Sequence, residues 1–385
     1  MTERCLPAPS LFADPVFPPT RYQGSKRKLA GWIWEQVRGL PFDTVLDVFG
    51  GTGAVGHRFK LHDKQVTYND ALAFNHQIGT ALIENDRQRL SEADLVRIGR
   101  RDPAVDYDDF IERTFSGIYF TDAENRWLDV AVQNIPRIRD RHRRALAWHA
   151  LYQSCIAKRP YNLFHRRNLY MRTADVSRSF GNKATWDRGF DDHLREHAAA
   201  ANAAVFDNGR PCRALRADAL DAPAGHDLVY VDPPYVSGRN VGVDYHGFYH
   251  FLEGLTDYTR WPGRVDYDSK HRRLKPIASP WTRAETNLDA FRRLFHRFAD
   301  SILVVSYRSD GHPSVDQLHE LLAEVKPRVR VATLDRYQYA LSTNRKSREV
   351  LLIGGARREV GIEDSESRSE KWEVGSKKLE LRIEK

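Results

Sequence analysis

Asp232-Pro233-Pro234-Tyr235 places a carboxylate, a stiff backbone and an aromatic ring at the end of the apolar run Leu228-Val229-Tyr230-Val231. Two successive prolines fix the backbone and force Asp232 and Pro233 into extended geometry. The Pro233 carbonyl then stays available as an acceptor, as do the Asp232 oxygens, and together they can take both hydrogens of an exocyclic amino group. Tyr235 can stack on the flat ring that carries it. A base that undergoes chemistry must leave its duplex, and aromatic stacking holds such an extruded base. Alone, the tetrapeptide also fits a proline turn with a capping Asp and a core Tyr.

A second constellation lies at Val45-Leu46-Asp47-Val48-Phe49-Gly50-Gly51-Thr52-Gly53-Ala54-Val55, a strand that runs into a glycine-rich turn and then a helix predicted from Val55 to Lys60. Glycines allow a nucleoside to approach the backbone closely. Gly51, Gly53 and Gly56 satisfy the dinucleotide fingerprint, and Asp70 follows the next strand, Gln65 to Asn69, where it can hold ribose hydroxyls. A nicotinamide enzyme is therefore a competitor, whereas the missing Gly-Lys-Ser/Thr excludes a P-loop. Against a dinucleotide stands Asp47: an acid at this strand end repels a pyrophosphate and attracts a sulfonium. A third run, Cys212 to Ala217, ends at Asp218, placed to accept from an adenine amino group. Three acids at three successive strand ends favour S-adenosylmethionine over a dinucleotide.

Upstream lies Arg21-Tyr22-Gln23-Gly24-Ser25-Lys26, followed by Lys28 and the helical spacing of Leu29, Ile33 and Val37. With these residues on the page, the chain resembles the Dam-type, alpha-class DNA adenine-N6 methyltransferases. The similarity is one of order as well as content: Tyr-x-Gly-Ser-Lys, the glycine turn, an insertion, Asp-Pro-Pro-Tyr, and then Ser301 to Tyr307, which looks like the family's later strand ending in Ser-Tyr. It covers about residues 20–84 and 211–355. The resemblance implies that Tyr22, Lys26, Asp47, Phe49, Gly51 and Gly53 contact S-adenosylmethionine, that Asp70 holds its ribose and Asp218 its adenine. It also implies that Asp232, Pro233, Pro234 and Tyr235 hold the target base. Where the family often shows Glu-Pro-Phe, this chain has Asp47-Val48-Phe49, which keeps the acid and the aromatic.

The net charge of +8 is unevenly spread. Arg137 to Arg172 holds ten Lys or Arg against the single acid Asp140, so the remainder is close to neutral. Such a local field is a footprint for phosphates. Arg141, His142, Arg143 and Arg144 precede a helical run from Ala145 to Tyr152; beyond it, basic residues, asparagines and aromatics alternate from Lys158 to Tyr170. Arg and Asn read guanine and adenine edges bidentately, so Lys158, Arg159, Asn162, Arg166, Arg167 and Asn168 are the expected contacts to double-stranded DNA. A solvated basic face over an aromatic core is the alternative.

These placements predict an α/β fold, a Rossmann-like methyltransferase sheet that is mostly parallel with an antiparallel edge hairpin, plus a largely helical target-recognition insertion. The expected organisation is an N-terminal arm at 1–20, a catalytic domain at 21–84 and 211–355, a basic helical insertion at 85–210 and a charged tail at 356–385. The long stretch from Val236 to Pro280 is expected to close over substrate or touch DNA. A helix from Pro313 to Val325 opens at Ser314, and strands Val329 to Ala340 and Glu349 to Gly354 form the hairpin. Cys5, Cys155 and Cys212 show neither disulfide nor zinc spacing, so no metal is expected. No run approaches the roughly 20 apolar residues of a membrane helix, and no signal peptide is visible; a cytoplasmic monomer is expected, with a cognate restriction endonuclease as a genetic neighbour. The readings set against DNA adenine-N6 methylation are a ribosomal RNA base methyltransferase, a cytosine-N4 enzyme (usually Ser in place of Asp232), a non-catalytic DNA-binding protein and a nicotinamide oxidoreductase.

Overall fold

A computed structural model describes residues 15–175, 183–237, 242–334 and 347–355. The strands are β1 (Thr44–Asp47), β2 (Gln65–Asn69), β3 (Arg213–Leu215), β4 (Leu228–Val231), β5 (Val236–Ser237), β6 (Ile302–Arg308), β7 (Gly311–His312), β8 (Val329–Leu334) and β9 (Glu349–Gly354). Seven of them form one sheet in the order β3-β2-β1-β4-β6-β9-β8. Pairing is parallel from β3 to β6, and β9 runs antiparallel to both β6 and β8. The expected edge hairpin is present over Val329–Leu334 and Glu349–Gly354; its expected continuation to Ala340 and the Ser342 to Lys346 turn lie outside the described residues. So do the tail from 356 and residues 1–14 of the arm.

Side-chain alternation puts a different core on each face of the sheet. Leu228 and Tyr230 of β4, with Ile302 and Val304 of β6, face the helices Ala30–Val37 and Ala54–Leu61. Val229, Val231, Leu303 and Val305 face the opposite way, onto the helices Ala284–Arg297 and Val315–Ala323. With both faces covered, β4 is buried at every position, which is why it reads as a continuous apolar run. Full burial of each such side chain contributes about 1.5–3 kcal/mol. The helix Val315–Ala323 starts where the sequence places it: the Ser314 hydroxyl accepts from the Gln317 amide and the Gln317 side chain returns to the Ser314 amide.

The described part of 85–210 is helical and shares one apolar core with the helix Ala73–Gly79 and with the stretch after β5. At its centre runs the helix Arg141–Ala157, buried without a break from Ala145 to Ile156. A helix surrounded on all sides has no polar stripe. From residue 242 to Pro280 the stretch is packed structure: helices Tyr245–Phe248, His250–Thr256 and Trp261–Arg264, with the residue between the first two, bury Tyr249, Phe251, Leu252, Leu255 and Trp261 in the same core.

Candidate active site

Parallel strands end together, so the residues just beyond β1, β2 and β4 converge at one edge of the sheet. In the order β3-β2-β1-β4-β6, the chain leaves β1 toward β3 on one side and returns to β4 on the other, and that reversal leaves a crevice above the carboxyl ends. A cavity of about 260 Å3 occupies it, with Asp47, Asp70, Asp218 and Asp232 in its walls. Tyr22, Lys26, Phe49, Gly51 and Pro234 also line it. Gly53, Pro233 and Tyr235 are not among its lining residues but adjoin residues that are.

The glycine turn is built by close approach. Gly51 and Gly53 have φ values of 51° and 75°, a region that strains side-chain-bearing residues. A Cβ on Gly50 would run into the Tyr68 ring. The Tyr68 hydroxyl in turn donates to the Gly51 carbonyl at 2.7 Å, locking the turn onto β2. Asp70 receives the Gly51 amide at 3.0 Å, the Leu72 amide at 2.9 Å and the Asn75 side chain at 3.0 Å. Burial still pushes its carboxyl up to about 6 against those donors. Asp218 is exposed at the rim and accepts from the Leu220 amide at 2.9 Å.

Asp47 is 1% exposed, and its Oδ1 has no hydrogen-bond partner among the described residues. Burial, with the charges of Asp232 and Asp70 adding to it, pushes its carboxyl up to about 8. A buried acid with an unused oxygen in a cavity wall is a place for a cation or a donor.

Asp232 is held at one oxygen. Lys26 donates to Oδ1 at 2.8 Å and the Tyr235 hydroxyl donates to the same atom at 2.8 Å, while Lys26 also donates to the Tyr235 hydroxyl. No described residue donates to Oδ2. Burial raises the Asp232 carboxyl, and Glu349 adds to the effect while Lys26 opposes it. Burial alone would lower Lys26, but Asp232 and Glu349 outweigh it and hold the ammonium above the usual lysine range. Glu349, on β9, lies 3.4 Å from the Lys26 Nζ and is fully buried. The resemblance assigns Lys26 to the cofactor; here its three hydrogens face Asp232, Tyr235 and Glu349. The Tyr235 ring packs edge-on against Tyr307 at 5.2 Å.

Four residues in or beside the wall were not singled out from the sequence. Tyr245 and Tyr249 stack against Tyr22, with centroids 5.7 and 4.4 Å away, and Tyr245 lines the cavity. Trp281 meets Phe49 edge-on at 4.9 Å. Glu349 stands in a Ser-Arg-Glu run that resembles any exposed hairpin. The only available signal was a lone acid opening an otherwise apolar strand.

Residues 22–281 match the D12 class N6 adenine-specific DNA methyltransferase family. The chain belongs to that family. Type II methyltransferase M2.HphI of Haemophilus parahaemolyticus is 28% identical over 83% of this chain and 91% of its own length. Type II methyltransferase M.NlaIII of Neisseria lactamica is 23% identical over 78% and 86%. M.FokI of Planomicrobium okeanokoites is 24% identical over 93% of this chain and 56% of its own.

For an adenine-specific DNA methyltransferase the basic segment must be sorted into inward and outward residues. Lys158 is 1% exposed and ion-paired to Glu124 at 2.8 Å, with a further bond to the Trp186 carbonyl at 3.0 Å. Arg159 is buried, its guanidinium lying 3.8 Å from the Phe164 ring centre and 4.5 Å from that of Tyr119. Asn168 is buried as well. These three expected DNA contacts are therefore interior residues, and a duplex has no access to them in this structure. Arg166 and Arg167 are exposed, flanked by the exposed rings of Tyr161 and Tyr170. Asn162 donates to the Arg21 carbonyl at 2.6 Å, so this loop is tied to the segment that carries Tyr22 and Lys26.

The arginines at the start of Arg141–Ala157 stand apart from that loop. Seventeen residues at 1.5 Å each separate the two helix ends by about 25 Å. Arg141 pairs with Glu84, Arg143 with Asp94 and Arg137 with Asp102. Much of the local positive excess is thus neutralised by acids from elsewhere in the chain. Among the described residues no helix is long and apolar enough to cross a membrane, and no cluster of metal-ligating residues is present.

Proposed function

We propose that this DNA adenine methyltransferase moves a methyl group from S-adenosylmethionine to N6 of an adenine rotated out of double-stranded DNA into the cavity above β1 and β4. The observation that carries the reading is the arrangement of acids in the cavity wall: Asp47 with an oxygen unpartnered among the described residues, and Asp232 with its described donors both on Oδ1.

The residues fit the cofactor. Asp47 suits a cationic amino-acid end, the Gly51 turn gives backbone access, Asp70 suits ribose hydroxyls, and Asp218 at the rim suits an adenine amino group. S-adenosylmethionine, when bound, supplies an already electrophilic methyl group, so the chain needs no covalent intermediate. Its task is the nucleophile. The adenine amino lone pair is delocalised into the ring; hydrogen bonds from its two hydrogens to Asp232 Oδ2 and the Pro233 carbonyl favour a pyramidal nitrogen. Lys26 and Tyr235, both engaged at Oδ1, hold the carboxylate by that oxygen and leave Oδ2 for the amino group. The ionised Asp232 stabilises positive charge growing on nitrogen, and holding the reactants in line supplies much of the remaining acceleration. The proton departs to water after transfer.

Arg166, Arg167, Tyr161 and Tyr170 form the DNA-facing part of the insertion. The relatives named as type II methyltransferases support a restriction-modification role, with a cognate endonuclease as its counterpart; a cytoplasmic monomer is the working form in this reading. The test is transfer of labelled methyl to unmethylated genomic DNA, ribosomal RNA and free nucleoside, followed by digestion and base identification. N6-methyladenine at a fixed sequence in DNA alone is the expected result. Label in RNA alone would overturn the reading.

A further inference from the structure

We propose that Glu349 is a positioning residue for the reaction, acting through Lys26 to set how strongly Asp232 accepts from the adenine amino group. The inference rests on the function proposed above and deepens it.

The ammonium of Lys26 sits between two carboxylates, 2.8 Å from Asp232 and 3.4 Å from Glu349. All three side chains are shielded: those of Lys26, Asp232 and Glu349 are 6%, 15% and 0% exposed. The Lys26 ammonium is thus shared between two carboxylates rather than given wholly to one. Without Glu349, Lys26 would belong to Asp232 alone, and a fully compensated carboxylate is a weaker acceptor for an amino group that becomes positive during transfer. With Glu349 sharing the ammonium, Asp232 keeps more of its charge while Lys26 still fixes its orientation.

Glu349 is itself built in rather than incidental. It opens β9, whose register sets Glu349 opposite Arg308 of β6 and Leu334 of β8. The Ser306 hydroxyl donates to its Oε1 at 2.5 Å. Its buried place behind Lys26, which is itself bonded to Asp232, puts it one side chain away from that carboxylate. Orientation of Lys26 alone does not require it, because Asp232 and Tyr235 already take two of the three ammonium hydrogens.

The experiment compares wild type, Glu349→Gln, Glu349→Asp and Lys26→Gln on duplex DNA, reading kcat against pH, S-adenosylhomocysteine affinity and unfolding temperature. In Glu349→Gln, kcat is expected to fall about tenfold, less than the roughly 100- to 1,000-fold lost with a group that touches the reacting atoms, because Glu349 acts through Lys26. S-adenosylhomocysteine affinity stays within a fewfold of wild type. The acidic limb of the pH profile moves to lower pH, because a negative neighbour of Asp232 has been removed. Lys26→Gln moves that limb the opposite way, and Glu349→Asp, which keeps the charge, leaves it in place with an intermediate kcat. A purely structural role would lower the unfolding temperature without moving the limb. Wild-type kcat in Glu349→Gln, or a fall in cofactor affinity equal to the fall in kcat, overturns the proposal. If Glu349→Gln does not fold, Glu349→Asp carries the test: wild-type kcat refutes, and reduced kcat with unchanged affinity supports. Wild-type protein that makes no N6-methyladenine would refute the proposed function itself, which separates the two failures.

Discussion

Replacing Asp47 with Asn is expected to stabilise the cofactor-free protein and to weaken cofactor binding. The Asp47 carboxyl is raised from an ordinary 3.8 to about 8, first by burial and then by Asp232 and Asp70. For an acid raised on folding, the favourable contribution belongs to the protonated form. It is complete below pH 3.8 and is lost as pH rises toward about 8. At pH 7 the loss spans about three units at about 1.4 kcal/mol each, about 4 kcal/mol in all. Asn keeps an oxygen able to accept from the Gly56 amide and carries no charge, so the variant should recover most of that energy. With unfolding entropy of about 2.1 cal/mol/K per residue over a chain of this length, the gain corresponds to about 5 °C in Tm. Thermal unfolding from pH 5 to 8, with and without S-adenosylmethionine, is the assay. The difference between variant and wild type should grow with pH, and the cofactor should raise Tm in the wild type far more than in the variant. A variant no more stable than wild type at pH 7, or a gain that does not change with pH, would refute the account of Asp47 as a strained, cation-seeking acid.

Asp232→Ala should lower methyl transfer at least about a hundredfold while leaving S-adenosylhomocysteine affinity within a fewfold; equal losses in the two measurements would contradict its role. Gly50→Ala should cost about 1–3 kcal/mol in denaturant unfolding, since its Cβ meets the buried Tyr68 ring that clamps the turn. Lys158→Met should destabilise by about 1–3 kcal/mol, because the Trp186 carbonyl loses its donor while Glu124 keeps Arg172, whereas Arg166→Ala and Arg167→Ala should change stability by no more than about 0.5 kcal/mol. Those two should instead each reduce the salt dependence of DNA binding by about one in log–log slope, and a similar slope change in Lys158→Met would argue against its interior assignment.

The parts of the fold that were legible in the sequence are those set by local pattern. Leu228–Val231 and Gln65–Asn69 fall where the apolar runs put them, because a parallel strand buried on both faces has no competing periodicity. The helix at Ser314 was legible through its cap. Asp47, Asp70 and Asp232 were legible because each ends a strand or directly follows one, whereas Asp244 and Glu253, which also line the cavity, belong to helices. What could not be read depends on partners distant in sequence. Ten basic residues between Arg137 and Arg172 look like one surface, yet a helix carries one group about 25 Å from the other. Glu84, Asp94 and Glu124 then neutralise members of both. Lys158 and Arg159 follow the end of that buried helix and turn inward with it. Glu349 joins Lys26 only because β9 inserts beside β6.

That insertion also bears on when the protein becomes competent. β9 lies between β6 and β8 although it is made after both, and Glu349 follows Lys26 by 323 positions. At about 5–20 residues per second a ribosome needs roughly 16–65 s to deliver the second after the first. Until then the lysine that will orient the reacting carboxylate lacks one of its counter-charges, and the sheet ends in an open seam beside β6. Such long-range closure is slow to find. A nascent or truncated chain that lacks its last described strand would therefore bind poorly and methylate poorly, so that modification of the genome begins only once the whole catalytic sheet has closed.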